Sequence, residues 1–483
     1  MVDLEVNMGD QLAMTECNDV QVEFQDLGRR RVVGSFDGGN VTSDAGGLLL
    51  REVVRGSGML KEFAHCFVDH RDPDLIEHSV EDLVTQRTLG LAMGYEDLND
   101  HDHLRRDPLF ATLVNKYDVT GKNRNLQRDK GCPLAGKSTL NRLELTPPDA
   151  DFTSRYAKIV YIPSAIENFF VDRFIARQVK PPEVIWLDLD ATDDPTHGEQ
   201  EGSFFHGHYG HYCYLPLYIF AGEDLLSARL RSSDCDPLEG AIEDLTRIVE
   251  KIQEKLPNAR IIVRGDGGFC RDELMSWCEA RNVDYVLGMP QNVRLLAMIK
   301  KAMKKAKRKF KKTGKAAKIY RSLKYRTLKS WSKRRRVIAK AEHLEKGANP
   351  RFVVTTIGKS ENGARSVYEE LYCARGNMEN RIKEQQMGLF SDRTSTHTMR
   401  ANQLRLWLSS LAYVLMTELR RNGLQSTEMA TAQCWTIREK LFKIGALVEI
   451  SVRRLVIRMA SGYPWKEVFT RCLENLQQHY GTA

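Results

Sequence analysis

Between Val184 and Pro290 the chain reads as five short apolar runs interrupted by two amphipathic stretches, an order that leaves few ways to build a sheet. VIWLDLDAT (184–192), HYCYLPLYIF (211–220) and LLSARLRS (225–232) follow one another with no helix between them, the last two separated by the turn-like AGED. Consecutive strands joined this way pair antiparallel. From about Gly240 to Leu256 the apolar positions Ile242, Leu245, Ile248, Val249, Ile252 and Leu256 recur at helical spacing. ARIIVRGDGGF (259–269) is then a fourth strand ending in a glycine-rich turn, DELMSWCEARN a short helix, and VDYVLGMP a fifth strand. Strands reached through helices need crossovers and pair parallel. The expectation is an α/β region with a mixed sheet: a three-stranded meander extended by two parallel strands.

Pro181-Pro182 sets the start of this region at about residue 176. Residues 1–175 read as mainly helical, with residues 1–30 irregular. A helix starts near Val41, with Thr42 or Ser43 as cap candidates, and others cover 76–95 and 135–146. Residues 291–365 read as a basic, β-rich insertion. Residues 366–430 resume the α/β region with a helix over 366–390, which carries Glu379, and a second helix with Leu404, Trp407, Leu408, Leu411 and Leu415 on its apolar face. The remainder, 431–483, contains ALVEISVRRLVIRM, which alternates like a late hairpin or strand.

Charge is distributed unevenly. The net charge is only +8, yet Lys300–Lys340 holds 20 Lys or Arg and no Asp or Glu, so the rest of the chain is acidic. Phe310, Tyr320, Tyr325 and Trp331 interleave with the basic residues. Concentrated positive charge with aromatics suits a polyanion, most simply nucleic acid, and the Arg334-Arg335-Arg336 run is a natural phosphate contact. No run of about 18 apolar residues exists to span a membrane. MVDLEVNMGD lacks the apolar core of a secretory signal, and the ten cysteines contain no C-x-x-C pair. Reduced thiols in a cytoplasmic protein are expected, and a structural zinc site is not.

Several motifs compete for the chemistry. Gly131-Cys132-Pro133-Leu134-Ala135-Gly136-Lys137-Ser138 matches the spacing of a phosphate-binding loop. Such a loop needs a buried strand before it to aim its amides, and KNRNLQRDK is not one. The better reading is a loop entering a helix from which Lys137 and Arg142, with Ser138, face a phosphate backbone. His197, His206, His208, His211 and Cys213 lack the paired spacing of a zinc site. Cys270 and Cys278 read as core residues. The carboxylates say more. Asp188 and Asp190 stand two apart on one strand and so share a face, and a charge inside an apolar strand needs a partner or a metal. Asp266 ends the fourth strand among Gly265, Gly267 and Gly268. Carboxylates gathered there can share two Mg²⁺ ions about 3.5–4 Å apart, which activate a water and stabilise a leaving oxygen. Spacing alone leaves the choice between Asp188 and Asp190 open.

At these residues the sequence resembles insertion-sequence transposases of the DDE superfamily, in particular the IS thirteen-eighty family, distant kin of the piggyBac transposases. The resemblance rests on VTSDAGGLLLREV, DPDLIEHSVEDLVTQRTLGLAMGYEDLNDHDHLRRDPLF, LAGKSTLNRLEL, WLDLDATDDPTHGEQEGSFFHGHYGHYCYLPLYIF, RGDGGFCRDELMSWCE and YCARGNMENRIKEQQMGLFSDRTS, and runs from residue 41 to about 396. It implies an RNase H-like catalytic domain behind a helical DNA-binding region, dependence on Mg²⁺ with Mn²⁺ as a substitute, and cut-and-paste movement of the protein's own element. DNA is the implied partner, as terminal inverted repeats and target, with a dimer on DNA. Its first acid falls on the DLDAT strand, its second on Asp266 and its third on the helix of Glu379. Tyr372, Arg375 and Glu379 fit the Y-x₂-R-x₃-E-x₆-K pattern of related transposases, whose closing basic residue is Gln386 here. Gly267 stands where many relatives carry Ser. Of the two glutamates on that helix, Glu384 lies about 140° around from Glu379, and its neighbours Arg381 and Lys383 suggest a solvent ion pair.

Overall fold

The computed structural model describes residues 21–481. Its largest sheet is built from β1 (Val184–Ala191), β2 (Leu217–Ala221), β3 (Asp224–Arg229), β4 (Arg260–Gly265), β5 (Asp284–Met289), β6 (Ala317–Tyr325), β7 (Arg335–Leu344) and β8 (Arg351–Thr355), in the spatial order β3-β2-β1-β4-β5-β8-β7-β6, with the short Gly347–Ala348 pairing onto β7. β1, β2 and β3 form an antiparallel meander. β4 lies parallel to β1 and β5 parallel to β4, reached through the helices Ala241–Lys255 and Asp272–Ala280. Those two helices cover one face, where Leu187, Leu189, Val263 and Leu287 are fully buried. Burying side chains of this size contributes roughly 1.5–3 kcal/mol each. The opposite face carries Trp186, Ile262, Val286, Ile338 and Val353 beneath Val367 and Tyr368.

HYCYLPLYIF is not one strand. Pro216 has no N–H to give a ladder, and the chain divides there. His211–Tyr214 pairs with Phe204–His206 and Asp194–Pro195 in a small separate sheet, while β2 begins at Leu217. The basic segment does not stand apart from the sheet. After the helix Lys300–Thr313, β6, β7 and β8 extend the sheet antiparallel from β5. The helix lays Ala302 and Ala306 onto this extension and turns its lysines outward.

Residues 48–176 contain the helices Leu48–Ser57, Met59–Ala64, Val80–Met93, Lys137–Glu144 and Pro163–Ala176. Ser79 and Asp82 cap the third of these reciprocally. Two expectations fail locally. Of residues 1–30, read as irregular, 22–30 belong to an exposed hairpin of Val22–Leu27 and Arg30–Gly34, whereas residues 1–20 lie outside the described residues. Neither Thr42 nor Ser43 caps the first α-helix, which starts at Leu48 behind the cap residue Gly47. Thr42 instead ends a short strand paired with Ala446, and its hydroxyl donates to Asp107 at 2.9 Å. The last strands, Ala446–Ile450 and Leu455–Met459, are the hairpin the alternation suggested.

One apolar cluster joins parts of the described residues far apart in sequence. It runs from Leu49 through the helix Met399–Glu418, with Leu404, Trp407, Leu408, Leu411 and Leu415 inside, to Cys472 and Leu476 on the final helix Lys466–Tyr480. The contact is close: a Cβ on Gly56 would stand 2.2 Å from the Tyr480 ring. Among the described residues no helix is long and apolar enough to cross a membrane.

Candidate active site

The parallel register of β1 and β4 brings two acids together. Leu189 lies opposite Gly265, so Asp190 and Asp266, the next residues along, leave neighbouring strands side by side. Asp266 is fixed by its own turn, its Oδ1 accepting from the Gly268 amide at 2.8 Å. That turn packs tightly on β5. A Cβ at Gly288 would stand 2.5 Å from the Tyr372 hydroxyl oxygen and 3.0 Å from the Gly267 nitrogen, so only glycine admits both at once.

Tyr372 belongs to a helical segment that changes pitch along its length: π-helix over Val367–Tyr372, a 3₁₀ turn over Cys373–Arg375, α-helix over Gly376–Lys383, then π-helix over Glu384–Gly388. Such irregularities concentrate at functional sites. Here they turn Tyr372, Arg375 and Glu379 toward the ends of β1 and β4. The Arg375 guanidinium donates from Nη1 to Asp190 Oδ2 at 2.9 Å and from Nη2 to Glu379 Oε1 at 3.3 Å. Asp190 and Arg375 are largely covered, whereas the Glu379 side chain is 64% exposed. Burial pushes the Asp190 carboxyl up to about 6; Arg375 opposes the rise, and the negative charges of Asp266 and Glu379 add to it. Three acids therefore share one electrostatic neighbourhood, with one guanidinium between two of them.

Asp188 shares a face with Asp190 but has a different partner. Arg264 donates to it from Nε and from Nη2, the latter at 2.8 Å, and both side chains are buried. The same guanidinium lies 4.9 Å from the centre of the Trp186 ring and donates to the Leu371 carbonyl at 2.6 Å. Asp188 thus anchors the segment that carries Tyr372 and Arg375, and Asp190 is the acid beside Asp266.

Glu384 is not a solvent ion pair. It is buried, bonded to Arg420, and accepts from the Cys434 amide at 2.6 Å. Gln386 donates to the Asp193 carbonyl at 2.8 Å, tying the helical segment to the chain just after β1. Of the three consecutive arginines only Arg334 is exposed. Arg335 is buried against Asp272, Ser276 and Glu279, and Arg336 donates to the Ile357 and Asn362 carbonyls. Neither is placed to meet a phosphate backbone. Lys137 donates to Asn99 at 3.1 Å, and its backbone amide is taken by Asp102. The turn before it is 3₁₀, not a strand, so no phosphate-binding loop forms. Arg142 lies over the Tyr156 ring and lines a polar groove with Ser138, Arg128 and Lys158. His211 pairs with Asp193 at 2.9 Å, and His206 and His208 pack around Tyr209. Cys270 and Cys278 are core residues.

Two contributors escaped sequence reasoning. Arg264 reads as an ordinary strand residue, and nothing in the sequence pairs it with Asp188. The Tyr209 hydroxyl, in the turn between Phe204–His206 and His211–Tyr214, is pushed up by burial, and the fields of Asp193, Asp190 and Asp266 add to the rise. No pattern in the His-rich stretch singles it out.

Among the described residues no three His, Cys, Asp or Glu side chains converge closely enough to hold an ion as they stand. The donor chemistry nevertheless fits one. Asp190, Asp266 and Glu379 offer only carboxylate oxygens, which suit hard divalent cations, and the position between Asp190 and Glu379 already draws a positive charge, that of Arg375.

A family model described as the transposase DDE domain group 1 matches residues 24–480. No curated protein matches the chain.

Proposed function

This chain belongs to the transposases with a DDE domain of group 1, and on that footing we propose that it moves its own element by cut-and-paste, cleaving a phosphodiester at each end and joining the freed 3′ hydroxyls to target DNA. In this reading the sheet from β1 to β5 is an RNase H-like catalytic core of the IS thirteen-eighty type. Asp190, Asp266 and Glu379 would hold two Mg²⁺ ions, which Mn²⁺ can replace. When bound, the ions supply an activated water and neutralise charge on the leaving oxygen.

The chain's own residues do the rest. Arg375 grips a phosphate near the scissile bond, where its planar fork matches two phosphate oxygens. Tyr372, seated against Gly288, positions that phosphate relative to the Asp266 turn. Asp188 and Arg264 keep the Glu379 segment in register with β1. Arg334 and the outward lysines of Lys300–Thr313 hold the DNA backbone, and Arg142 and Lys137 contribute from the N-terminal region. The partners are terminal inverted repeats and target DNA, bound by a dimer in the bacterial cytoplasm.

The observation that carries this reading is the register of Leu189 on Gly265, which sets Asp190 beside Asp266. The test is a labelled duplex of the DNA bordering the coding sequence, incubated with the protein and Mg²⁺. Cleaved ends joined to a second DNA are expected. Cleavage without joined product would make the protein a nuclease, and binding without either would make it a DNA-binding protein.

A further inference from the structure

Arg375 occupies the space that a cation shared by Asp190 and Glu379 would need. One nitrogen contacts each carboxylate, at 2.9 and 3.3 Å. The guanidinium is well covered, with 16% of its side chain exposed, while Glu379 reaches out from the surface. An ion held by Asp190 Oδ2 would lie against a fixed positive charge in a partly dry site, where like charges repel strongly. As it stands, this one guanidinium engages two of the three acids and offsets part of their charge.

The guanidinium has an alternative partner only when DNA is present. A backbone phosphate offers two oxygens in the fork geometry that Arg prefers, and it recruits no acid that the site needs. Arg375 leads directly into the α-helical stretch from a 3₁₀ turn flanked on its other side by π-helix. The pitch of the helical segment at this point sets the direction of the Arg375 side chain, independently of the β1–β4 pairing.

We propose that Arg375 is a latch on the carboxylates: it withholds them from divalent cations in the free protein and releases them when a DNA phosphate takes the guanidinium. The inference rests on the assignment of Asp190, Asp266 and Glu379 as the ion-holding set. Its consequence is that the free protein binds ions weakly, so the reactive site is assembled only on DNA. Because binding couplings are reciprocal, ions then strengthen DNA binding by the same factor.

The test is Mn²⁺ binding by the full chain, read from the loss of the free Mn²⁺ electron paramagnetic resonance signal, with and without the bordering duplex. For the wild-type chain, DNA should raise Mn²⁺ affinity by at least ~10-fold, within the usual range of such couplings. Arg375→Gln should raise the DNA-free affinity by about as much and lose most of the gain on adding DNA. Arg375→Lys keeps the charge but cannot bridge two carboxylates, and should bind Mn²⁺ more tightly than wild type without DNA; it also serves if the Gln variant does not fold. Asp266→Asn should remove the binding in every background. If Asp266-dependent binding is present but Arg375→Gln and Arg375→Lys leave it unchanged, the latch is wrong and the ion-holding set stands. A gain on DNA that persists in Arg375→Gln would likewise overturn the latch, since the phosphate itself would then be the ligand. If no variant shows Asp266-dependent binding even on DNA, the ion-holding set falls and the latch with it.

Discussion

Arg264 grips Asp188 through two guanidinium nitrogens, with both side chains buried beside Trp186. Two residues on, Asp190 is turned to Arg375 and the Asp266 neighbourhood. Their substitutions should therefore separate. Asp188→Asn leaves a buried guanidinium without its counter-charge and should lower stability by about 3–5 kcal/mol. Asp190→Asn should leave the denaturation curve near wild type and reduce DNA cleavage by at least ~10³-fold. Urea melts and cleavage assays on the two variants decide this, and a stable but inactive Asp188→Asn would reverse the assignment.

Asp266→Asn preserves the volume of the side chain and its capacity to accept from the Gly268 amide. The turn should therefore hold and binding to DNA ends should persist, while cleavage and joining fall by at least ~10³-fold. Mobility-shift and cleavage assays on one preparation measure both quantities. Cleavage near the wild-type rate would remove Asp266 from the chemistry.

The two glutamates of the Tyr372 segment should fail in opposite ways. Glu379 is exposed, and Glu379→Gln should fold normally and abolish strand transfer. Glu384 is buried against Arg420 and the Cys434 amide, so Glu384→Gln should lose about 3–5 kcal/mol of stability because Arg420 keeps its charge. At temperatures where Glu384→Gln is still folded, its activity should stay substantial. Thermal melts paired with product assays in Mg²⁺ and Mn²⁺ distinguish the two.

DNA affinity should depend on the outward face of the basic helix. Lys304, Arg308 and Lys311 are exposed and succeed one another at helical spacing. Replacing all three with Ala should weaken DNA binding with little sequence preference and flatten the log–log salt dependence by up to ~3, at about 0.9 per lost phosphate contact. Arg334→Ala should act in the same direction by about one contact. Arg335→Ala should instead unfold the chain more readily, since Asp272 and Glu279 lose their buried partner. An unchanged salt slope in the triple variant would count against the helix as a DNA contact.

Asp194 supplies a pH dependence. Burial pushes its carboxyl up to about 8, the Thr394 hydroxyl opposing the rise and Asp392 and Asp193 adding to it. The folded state then keeps the proton at pH values where the unfolded chain has lost it. Stability relative to Asp194→Asn should thus fall as pH rises from about 4 to about 8, by up to ~1.4 kcal/mol per pH unit, and level off above. Urea titrations of both proteins across that range test it, and a constant difference would show that Asp194 is ionised throughout.

The pairing sense of the first five strands could be read from the sequence because periodicity and connection length constrain it locally, whereas the three strands of the basic segment were read as an insertion and extend the same sheet. The meander and the parallel pair follow from which runs have a helix between them. Alternation also placed Asp188 and Asp190 on one face. What it could not supply was the partner of each acid: Asp188 meets Arg264 76 positions away, and no local pattern encodes that contact. Arg334, Arg335 and Arg336 look alike as a run, yet a strand turns its middle residue inward, and only the packing of β7 on Asp272 and Glu279 shows that Arg335 is the one. Glu384 was misread for the same reason, since Arg420 and Cys434 come from other helices. Pro216 was visible in the sequence, but the apolar character on both sides of it masked the break.

The seating of the last helix against the first has a meaning for how such genes decay. Tyr480 closes on Gly56, and Leu476 completes a cluster that begins at Leu49. A ribosome has to reach the codons for Leu476 and Tyr480 before the helix Leu48–Ser57 finds its cover. A copy interrupted between the codons for Glu379 and Ala446 still encodes Asp190, Asp266 and Glu379, yet its product lacks the strands Ala446–Ile450 and Leu455–Met459 and the helix Lys466–Tyr480. Such a copy should therefore be silent, with the codons for Asp190, Asp266 and Glu379 intact.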